Sequence, residues 1–228
     1  MKFAILGTGM VGQTLALAFA DKGHEVIIGT RDVAKSLAST EPNVYGMPSF
    51  GRWHKAHSHI RVGSFAEAAA FGDILINASN GGSSLEVLAQ AQVGKLGSKI
   101  LIDVANDLDF SQGMPPVSRS SDAPGTGLAE RIQAAFPELR VVKTLNTMNA
   151  QVMTNPALVP GGDSTVFMSG NDADSKISVQ EILKSFGWRD IIDLGDITSS
   201  RATEMLMPIW LRAWGVMGQR PYNFKLAR

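Results

Sequence analysis

The 228-residue sequence contains no cysteine. This absence excludes disulfides, thiolate metal sites, iron–sulfur clusters and cysteine nucleophiles together. An excess of charge of either sign is also lacking, because 21 lysines and arginines balance 21 aspartates and glutamates. Since no run of like charges occurs either, we expect neither a nucleic acid nor an anionic membrane surface as a partner.

Long apolar runs are missing as well. No stretch reaches the length of about 18 apolar residues that a membrane-spanning helix requires. The first residues lack the length and the cleavage site of a signal peptide. We therefore expect a cytoplasmic protein, with a chain length that suits one large α/β domain or one domain with a small lobe.

A glycine motif near the start is the strongest positive signal. Residues 3–6 predict a strand buried on both faces, and a helix is predicted from about residue 10. Between them Gly7 permits a tight turn, Gly9 lets the backbone approach a pyrophosphate, and Gly12 lets the helix pack close on the strand. The motif predicts a dinucleotide site, with a structural turn in another α/β fold as the alternative. The residues expected to contact the cofactor here are Gly7, Thr8, Gly9, Met10, Val11 and Gly12.

The segment after the second predicted strand, residues 25–28, bears on which dinucleotide is bound. An acidic side chain here accepts hydrogen bonds from the ribose in NAD-binding folds, whereas an arginine meets the 2′-phosphate in NADP-binding folds. Thr30 and Arg31 follow the strand, and Lys35 comes one helical turn later. Asp32 has the spacing of the acidic residue, but it also suits the N-cap of the next helix. We favour that cap, and therefore NADP(H) over NAD(H), with Thr30, Arg31 and Lys35 as contacts.

Polar residues follow three further predicted strands, which cover residues 73–78, 99–104 and 140–145. In open α/β sheets the ligand lies at the carboxyl ends of the strands. We expect the ribose and nicotinamide side of the cofactor to be lined by Ala78, Ser79, Asn80 and Ala105. Asn106 and Asn146 are expected beside the nicotinamide and the substrate. The alternatives are a plain turn after the first of these strands, and a strand-ending role for Asn146.

Glycines and prolines break any period in residues 41–59 and predict a long loop. His54, His57 and His59 have a spacing that zinc, copper or nickel would tolerate. No carboxylate accompanies them, so we predict no metal. A flap that covers a bound ring is a second hypothesis, since the segment also holds three aromatic residues: Tyr45, Phe50 and Trp53.

Strands and helices alternate to the end of the sequence. This order indicates an α/β fold with a Rossmann-type, doubly wound, mostly parallel sheet. We expect an NADP-binding domain over residues 1–148 and a small strand–helix–strand–helix lobe over 149–228. The last helix is apolar and should be kinked by Pro208. Its Met205 and Met207 are expected to shape the acceptor pocket, while part of the helix forms the core of the lobe or a dimer surface.

The sequence resembles the NADPH-dependent reductases of the deazaflavin coenzyme F420 and their bacterial relatives, over nearly its whole length. The motifs that carry the resemblance are the glycine motif, Gly23-His24-Glu25-Val26, Gly29-Thr30-Arg31, Val141-Val142-Lys143-Thr144-Leu145-Asn146-Thr147, Gly170-Asn171-Asp172, Asp193-Leu194-Gly195, and Ser200-Arg201 with Glu204 and Pro208. The resemblance implies a Rossmann-type domain with a small C-terminal lobe, NADP(H) as cofactor, and usually a homodimer. It also implies that Thr30 and Arg31 hold the 2′-phosphate.

Two positions depart from the pattern of that family. The deazaflavin enzymes have a histidine near the reacting rings where this sequence has Asn146, and a small hydroxyl residue where it has Met207. A methionine there makes the pocket for the second ring more apolar. The resemblance therefore predicts NADP binding without fixing the hydride acceptor.

Three functions fit these features. We favour an oxidoreductase that transfers hydride between NADPH and a deazaflavin (F420) or flavin-like ring, because such transfer requires positioning more than acid–base groups. The second is NADPH-dependent reduction of a small carbonyl or imine compound. Related folds with that activity usually add a large helical domain, whereas the segment after Ala150 reads as strand–helix–strand–helix. The third is a non-catalytic NADP(H)-binding sensor, whose binding half would look the same.

Overall fold

The computed structural model describes residues 1–42, 48–113, 116–121 and 123–228. Within these residues, eight strands form one sheet and two short strands form a separate hairpin. In chain order the strands are β1 (Lys2–Leu6), β2 (Glu25–Thr30), β3 (Arg61–Ser64), β4 (Ile74–Asn77), β5 (Ile100–Asp103), β6 (Leu108–Asp109), β7 (Val117–Ser118), β8 (Arg140–Thr144), β9 (Thr165–Gly170) and β10 (Asp190–Asp193).

The order of strands across the sheet is β3-β2-β1-β4-β5-β8-β9-β10. Neighbouring strands run parallel except β8 and β9, which are antiparallel. The chain moves outward in one direction from β1 to β3 and then in the other from β4, so the order reverses between β1 and β4. This is the doubly wound Rossmann-type arrangement that the sequence predicts, and ligands bind at such a reversal point.

Helices cover both faces of the sheet. They are α1 (Met10–Asp21), α2 (Val33–Leu37), α3 (Phe50–Ala56), α4 (Phe65–Phe71), α5 (Ser84–Gln90), α6 (Leu128–Ala135), α7 (Ala150–Thr154), α8 (Ala173–Ser185), α9 (Ser200–Met205) and α10 (Met207–Val216). Side chains of α1, α7 and α8 pack on one face of the sheet, with Phe3 and Ile5 of β1. Those of α4, α5 and α6 pack on the other face, with Ala4 and Leu6. Because successive side chains of β1 point to opposite faces, this one strand contributes to the core on both sides of the sheet.

Side chains cap the N-termini of two helices, and the first of these caps confirms the one predicted for Asp32. The Asp32 carboxylate accepts a hydrogen bond of 2.9 Å from the Lys35 N–H and begins α2. Ser64 begins α4 with a reciprocal pair of bonds, because its hydroxyl accepts from the Glu67 N–H and the Glu67 carboxylate accepts from the Ser64 N–H. Each cap satisfies N–H groups that the first turn of a helix leaves without partners.

The loop predicted over residues 41–59 is wrong for its second half, which contains α3. Ser49 caps this helix by accepting from the Arg52 N–H. Gly51 reads as a helix breaker in the sequence, but a Cβ there would lie 2.3 Å from the Leu37 carbonyl oxygen. Glycine is therefore required where α3 packs against the end of α2. Tyr45 lies outside the described residues, and Phe50 is buried in the core instead of forming a flap.

The C-terminal region continues the same sheet through β9 and β10. The kink predicted at Pro208 is confirmed, since α9 ends at Met205 and α10 begins at Met207. The division into two domains at residue 148 stays a prediction. In the part of the chain that the structure describes, every helix is too short or too polar to cross a membrane.

Candidate functional site

The glycine motif forms the turn between β1 and α1. Gly7 has a φ of +133°, which glycine adopts readily and other residues do not. A Cβ on Gly7 would lie 2.4 Å from the Ala78 carbonyl oxygen, and one on Gly12 would lie 2.2 Å from the Gly7 carbonyl oxygen. The predicted packing roles of Gly7 and Gly12 are therefore confirmed, because neither position has room for a side chain.

Gly9 has different surroundings. A Cβ there would meet no atom of the described residues within 4 Å. Gly9 is the N-cap of α1, and no side chain of the described residues bonds to this N-terminus. The first N–H groups of α1 therefore face open space at the positive end of the helix dipole, with Thr8, Met10 and Val11 partly exposed around them. This arrangement fits a diphosphate group.

The end of β2 carries the residues predicted for the 2′-phosphate. Thr30 is buried, and its hydroxyl is 2.6 Å from that of Ser36. The Arg31 side chain is 62% exposed, and its Nη2 lies 3.8 Å from Oε1 of Glu86 on α5. Lys35 is exposed on α2. Arg31 and Lys35 thus present exposed cationic groups to an incoming phosphate, whereas the Thr30 hydroxyl is buried against Ser36.

A cavity of about 220 Å³ opens beyond the glycine turn. We call it the strand-end cavity, because it lies at the carboxyl ends of β4, β5 and β8. It is lined by Val11, Ala78, Ser79, Asn80, Gly81, Val104, Ala105, Asn106, Leu108, Phe110, Asn146, Met148 and Met153. The structure therefore brings together seven residues predicted from the sequence: Val11, Ala78, Ser79, Asn80, Ala105, Asn106 and Asn146. The apolar residues of the hairpin and of the segment after β8 were missed, because no local pattern marks them.

Two asparagines that line the strand-end cavity are hydrogen-bonded to each other. Asn106 donates from Nδ2 to the Asn146 carbonyl oxygen at 2.8 Å, and Asn146 donates from Nδ2 to Oδ1 of Asn106 at 2.9 Å. This reciprocal pair ties the end of β5 to the end of β8. The alternative for Asn146, a side chain that ends its strand by bonding to backbone, is not what the structure shows, because that side chain donates to the Asn106 side chain.

Backbone strain marks the same place. Leu145, immediately before Asn146, has a φ of +61° and a buried side chain. A non-glycine residue in this left-handed region costs roughly 1 kcal/mol or more and persists only where its surroundings enforce it. The turn it makes at the end of β8 places Asn146 in the cavity wall.

A buried charged triad, missed in the sequence, lies behind this cavity. Lys143 of β8, Asp103 of β5 and Glu204 of α9 are at most 1% exposed. The Lys143 Nζ is 2.8 Å from Oδ2 of Asp103 and 3.0 Å from Oε1 of Glu204. Glu204 also accepts from the Ser120 hydroxyl and the Leu128 N–H. The available signal was a lysine inside the apolar run of β8, since buried charges in such strands require partners.

The three groups perturb one another strongly. Burial raises the pKa of Asp103 and outweighs the attraction of Lys143. Burial alone would raise the pKa of Glu204, but the charge of Lys143 and the bond from Ser120 lower it. Burial alone would lower the pKa of Lys143, but Asp103 and Glu204 raise it. Lys143 is therefore a cation held between two carboxyl groups of unequal acidity.

Met205 and Met207 lie outside the strand-end cavity. Met207 is buried against Trp210 and Tyr222. Met205 is exposed in a second cleft of about 590 Å³, which it shares with β7 and with Arg212 of α10. The structure thus does not bring these two methionines together with Asn106 and Asn146.

The three histidines of the predicted loop lie on or just after α3. The His54 Nε2 is 2.9 Å from the Ile60 carbonyl oxygen, and the His57 Nδ1 is 2.8 Å from the Trp53 carbonyl oxygen. One ring nitrogen of each is therefore used by the backbone. Among the described residues no group of three metal-ligating side chains occurs.

The fold and this site define a class of protein. A doubly wound sheet, a glycine turn leading into an uncapped helix N-terminus, and a cavity at the point where the strand order reverses together make a dinucleotide-binding α/β protein. A cationic side chain replaces an acidic one after β2, which favours a 2′-phosphorylated nucleotide.

Comparison with known proteins identifies the family. The family model for NADP oxidoreductases that depend on coenzyme F420 matches residues 2–107. The crystal structure of a candidate F420-dependent NADP-reductase from Arthrobacter sp. FB24 is 50% identical, with a TM-score of 0.93 over the full length of both chains. The chain belongs to this family and is an NADP-dependent oxidoreductase.

Two more distant relatives also match most of the chain. An F420-dependent NADP reductase from Methanothermobacter marburgensis is 29% identical over 92% of this chain and 90% of its own length. The metalloreductase STEAP3 of Rattus norvegicus is 26% identical over 94% of this chain, which spans 38% of the length of that relative.

Proposed function

We propose that this oxidoreductase transfers hydride between NADPH and a deazaflavin (F420) or flavin-like ring. The observation that carries the proposal is the lining of the strand-end cavity. Its polar groups are amides, a hydroxyl and backbone atoms, and no ionisable side chain of the described residues lines it. Hydride transfer between two ring systems requires close positioning and exclusion of water, and it does not require an acid–base residue in contact.

Residues at different positions would bind different parts of the cofactor. The N-terminus of α1 at Gly9 would bind the diphosphate, and Arg31 and Lys35 would bind the 2′-phosphate. NADPH supplies the hydride when bound. Asn106 and Asn146 would orient the nicotinamide end, since each has fixed the other through paired hydrogen bonds.

Apolar side chains form the rest of the cavity wall. Leu108, Phe110, Met148 and Met153 line it together with Val104. Phe110 is the most exposed of these at 42%, so its ring offers a flat surface at the entrance. We propose that the acceptor ring lies against this wall, because aromatic surfaces favour stacked partners and exclude water.

The acceptor is tested with the purified protein and NADPH. Oxidised F420, flavin mononucleotide, a quinone and a panel of small carbonyl and imine compounds are supplied in turn, and the loss of NADPH absorbance is followed. We expect rapid oxidation with F420 or the flavin only. Turnover with carbonyl or imine compounds alone would favour the second function. Binding of NADPH without any turnover would favour the sensor.

We also propose that two copies associate through the C-terminal helices, as the family resemblance implies. Exposed apolar side chains concentrate in this region, with Ile209 58% exposed and Val216 89% exposed. Burial of such side chains between copies is a common source of dimer stability. Sedimentation at micromolar concentration tests this, and a clean monomer would contradict it.

A further inference from the structure

The buried charged triad of Lys143, Asp103 and Glu204 has no part in the proposed hydride transfer as described so far. None of the three lines the strand-end cavity. Removing charges from water costs several kcal/mol per ion unless hydrogen bonds and oppositely charged partners offset it. Proteins in which apolar residues of similar size replace a buried ion pair are often equally stable. A purely stabilising role therefore leaves the choice of residues unexplained.

The triad reaches the cavity wall at Ala105. The Lys143 Nζ donates to the Ala105 carbonyl oxygen. Oδ1 of Asp103 accepts from the Ala105 N–H at 3.3 Å. Both backbone groups of one wall residue are thus held by the buried ion pair, so this part of the wall has a single position.

A second branch reaches the cavity lining at Ser79. Asn77, which is fully buried, donates from Nδ2 to Oδ1 of Asp103 at 2.8 Å. Its own Oδ1 accepts from the Ser79 hydroxyl at 2.6 Å and from the Ser79 N–H at 3.3 Å. One carboxyl group therefore fixes the segments after both β4 and β5, and both segments line the cavity.

From these contacts we infer that Lys143 and Asp103 are positioning residues that fix Ser79 and Ala105 in the cavity lining and so hold the nicotinamide ring. The inference rests on the proposed function, because it requires the ring to enter this cavity. Glu204 acts as the second partner of Lys143. It also accepts from the Leu128 and Ala129 N–H groups, and so anchors the pair to α6.

The test uses a variant that removes both partners of the buried ion pair together. Lys143→Met alone would leave two carboxyl groups without their cation. Lys143→Met combined with Asp103→Asn removes the cation and the acidic partner that lies 2.8 Å from it. The double variant loses the Lys143 bond to Ala105, while Glu204 keeps its bonds from Ser120 and the α6 N–H groups.

Lys99→Met is the matched control. Lys99 precedes the same strand, β5, at the opposite edge of the sheet. Its Nζ donates to the carbonyl oxygens of Ala69, Ala70 and Gly72 at 2.9, 3.3 and 2.7 Å. The control therefore makes the same substitution, removes bonds of the same kind from a lysine to backbone carbonyls, and leaves the cavity intact.

Calorimetry measures the Kd of each protein for NADPH and for 2′-phospho-ADP-ribose, which lacks the nicotinamide ring. The ratio of the two Kd values reports what the ring contributes. We expect the double variant to bind the fragment like the wild type, while the advantage of NADPH over the fragment falls by about tenfold, the factor for one oriented hydrogen bond. Lys99→Met should lower the melting temperature and leave the ratio unchanged. An unchanged ratio in a folded double variant would overturn the inference.

A second variant decides the matter if the double variant does not fold. Asn77→Ser cuts the branch to Ser79 and keeps the triad, and it should lower the same ratio; an unaltered ratio would overturn the inference. Failure of the proposed function is recognised separately. In that case the wild type binds NADPH better than the fragment yet reduces no ring, and the ratio still reports on positioning.

Discussion

The two ends of the proposed cofactor site are built in opposite ways. At the end of β2, the exposed side chains of Arg31 and Lys35 offer charge with few constraints on their position. At the ends of β4 and β5, fully buried groups such as Asn77 and Asp103 fix the backbone through several hydrogen bonds. Exposed charges are screened by salt and buried ones much less. We therefore expect the first end to govern affinity and nucleotide choice, and the second to govern geometry.

The glycine turn joins both ends, so changes there should have the largest effects. In Gly12→Ala the new Cβ would lie 2.2 Å from the Gly7 carbonyl oxygen. We expect the free energy of unfolding to fall by about 3 kcal/mol, the upper end for overpacking, as measured by denaturant unfolding.

Gly9→Ala is the natural counterpart, because its Cβ meets no described atom. Stability should stay within about 0.5 kcal/mol of the wild type, while NADPH affinity falls because the methyl group occupies the space proposed for the diphosphate. Equal affinity of this variant and the wild type would place the diphosphate elsewhere.

Replacing the arginine at the exposed end should weaken the binding of NADPH far more than the binding of NADH. In Arg31→Ala, NADPH binding should weaken by roughly 1.5–3 kcal/mol, the value for a hydrogen bond to a charged group, with NADH binding nearly unchanged. Titration of both nucleotides measures this. Arg140→Ala, at the start of β8 and the opposite edge of the sheet, is the control. Equal weakening of NADPH and NADH would show that Arg31 does not contact the 2′-phosphate.

A smaller effect should come from the carboxylate that faces this arginine. Glu86 lies 3.8 Å from Arg31 and would compete with the phosphate for it. Glu86→Gln should tighten NADPH binding by about twofold at low salt, the scale of an exposed ion pair, and the gain should vanish at high salt. Glu181→Gln removes the exposed pair with Lys184 on α8. This control should change neither the affinity for NADPH nor its dependence on salt. Tighter binding that persists at high salt would contradict the screening argument.

The smallest effect concerns a region outside both ends and appears only in acid. The Thr165 hydroxyl, and after it Lys225, hold the pKa of Asp190 well below its usual range. The resulting stabilisation is complete above the unfolded pKa of 3.8 and is lost as the pH falls below that value. In Asp190→Asn the melting temperature should be lower than in the wild type at neutral pH, and the two should converge toward pH 2. The ratio of NADPH to fragment affinity should not change.

The exposed end and the glycine turn could be predicted from the sequence because their signals are local. The glycine motif and the cap formed by Asp32 are recognised from residues a few positions apart, although the close approach of Gly7 to Ala78 is not local. The triad could not be predicted in this way. Lys143 and Glu204 lie in different parts of the chain and meet only because α9 packs against α6 and β9. In the same manner α3 escaped prediction, since Gly51 is explained only by the carbonyl of Leu37.

The position of Glu204 has a consequence for exchanging parts between members of this family. Its carboxylate comes from α9, yet it serves a cation in the central sheet and the first turn of α6. A chimera that replaced the tail from Ser200 onward with a segment lacking an acid at this position would leave the ammonium group of Lys143 with one partner fewer. Stable hybrids should therefore need a glutamate at position 204, even though this residue lines neither the nucleotide side nor the acceptor side of the proposed site.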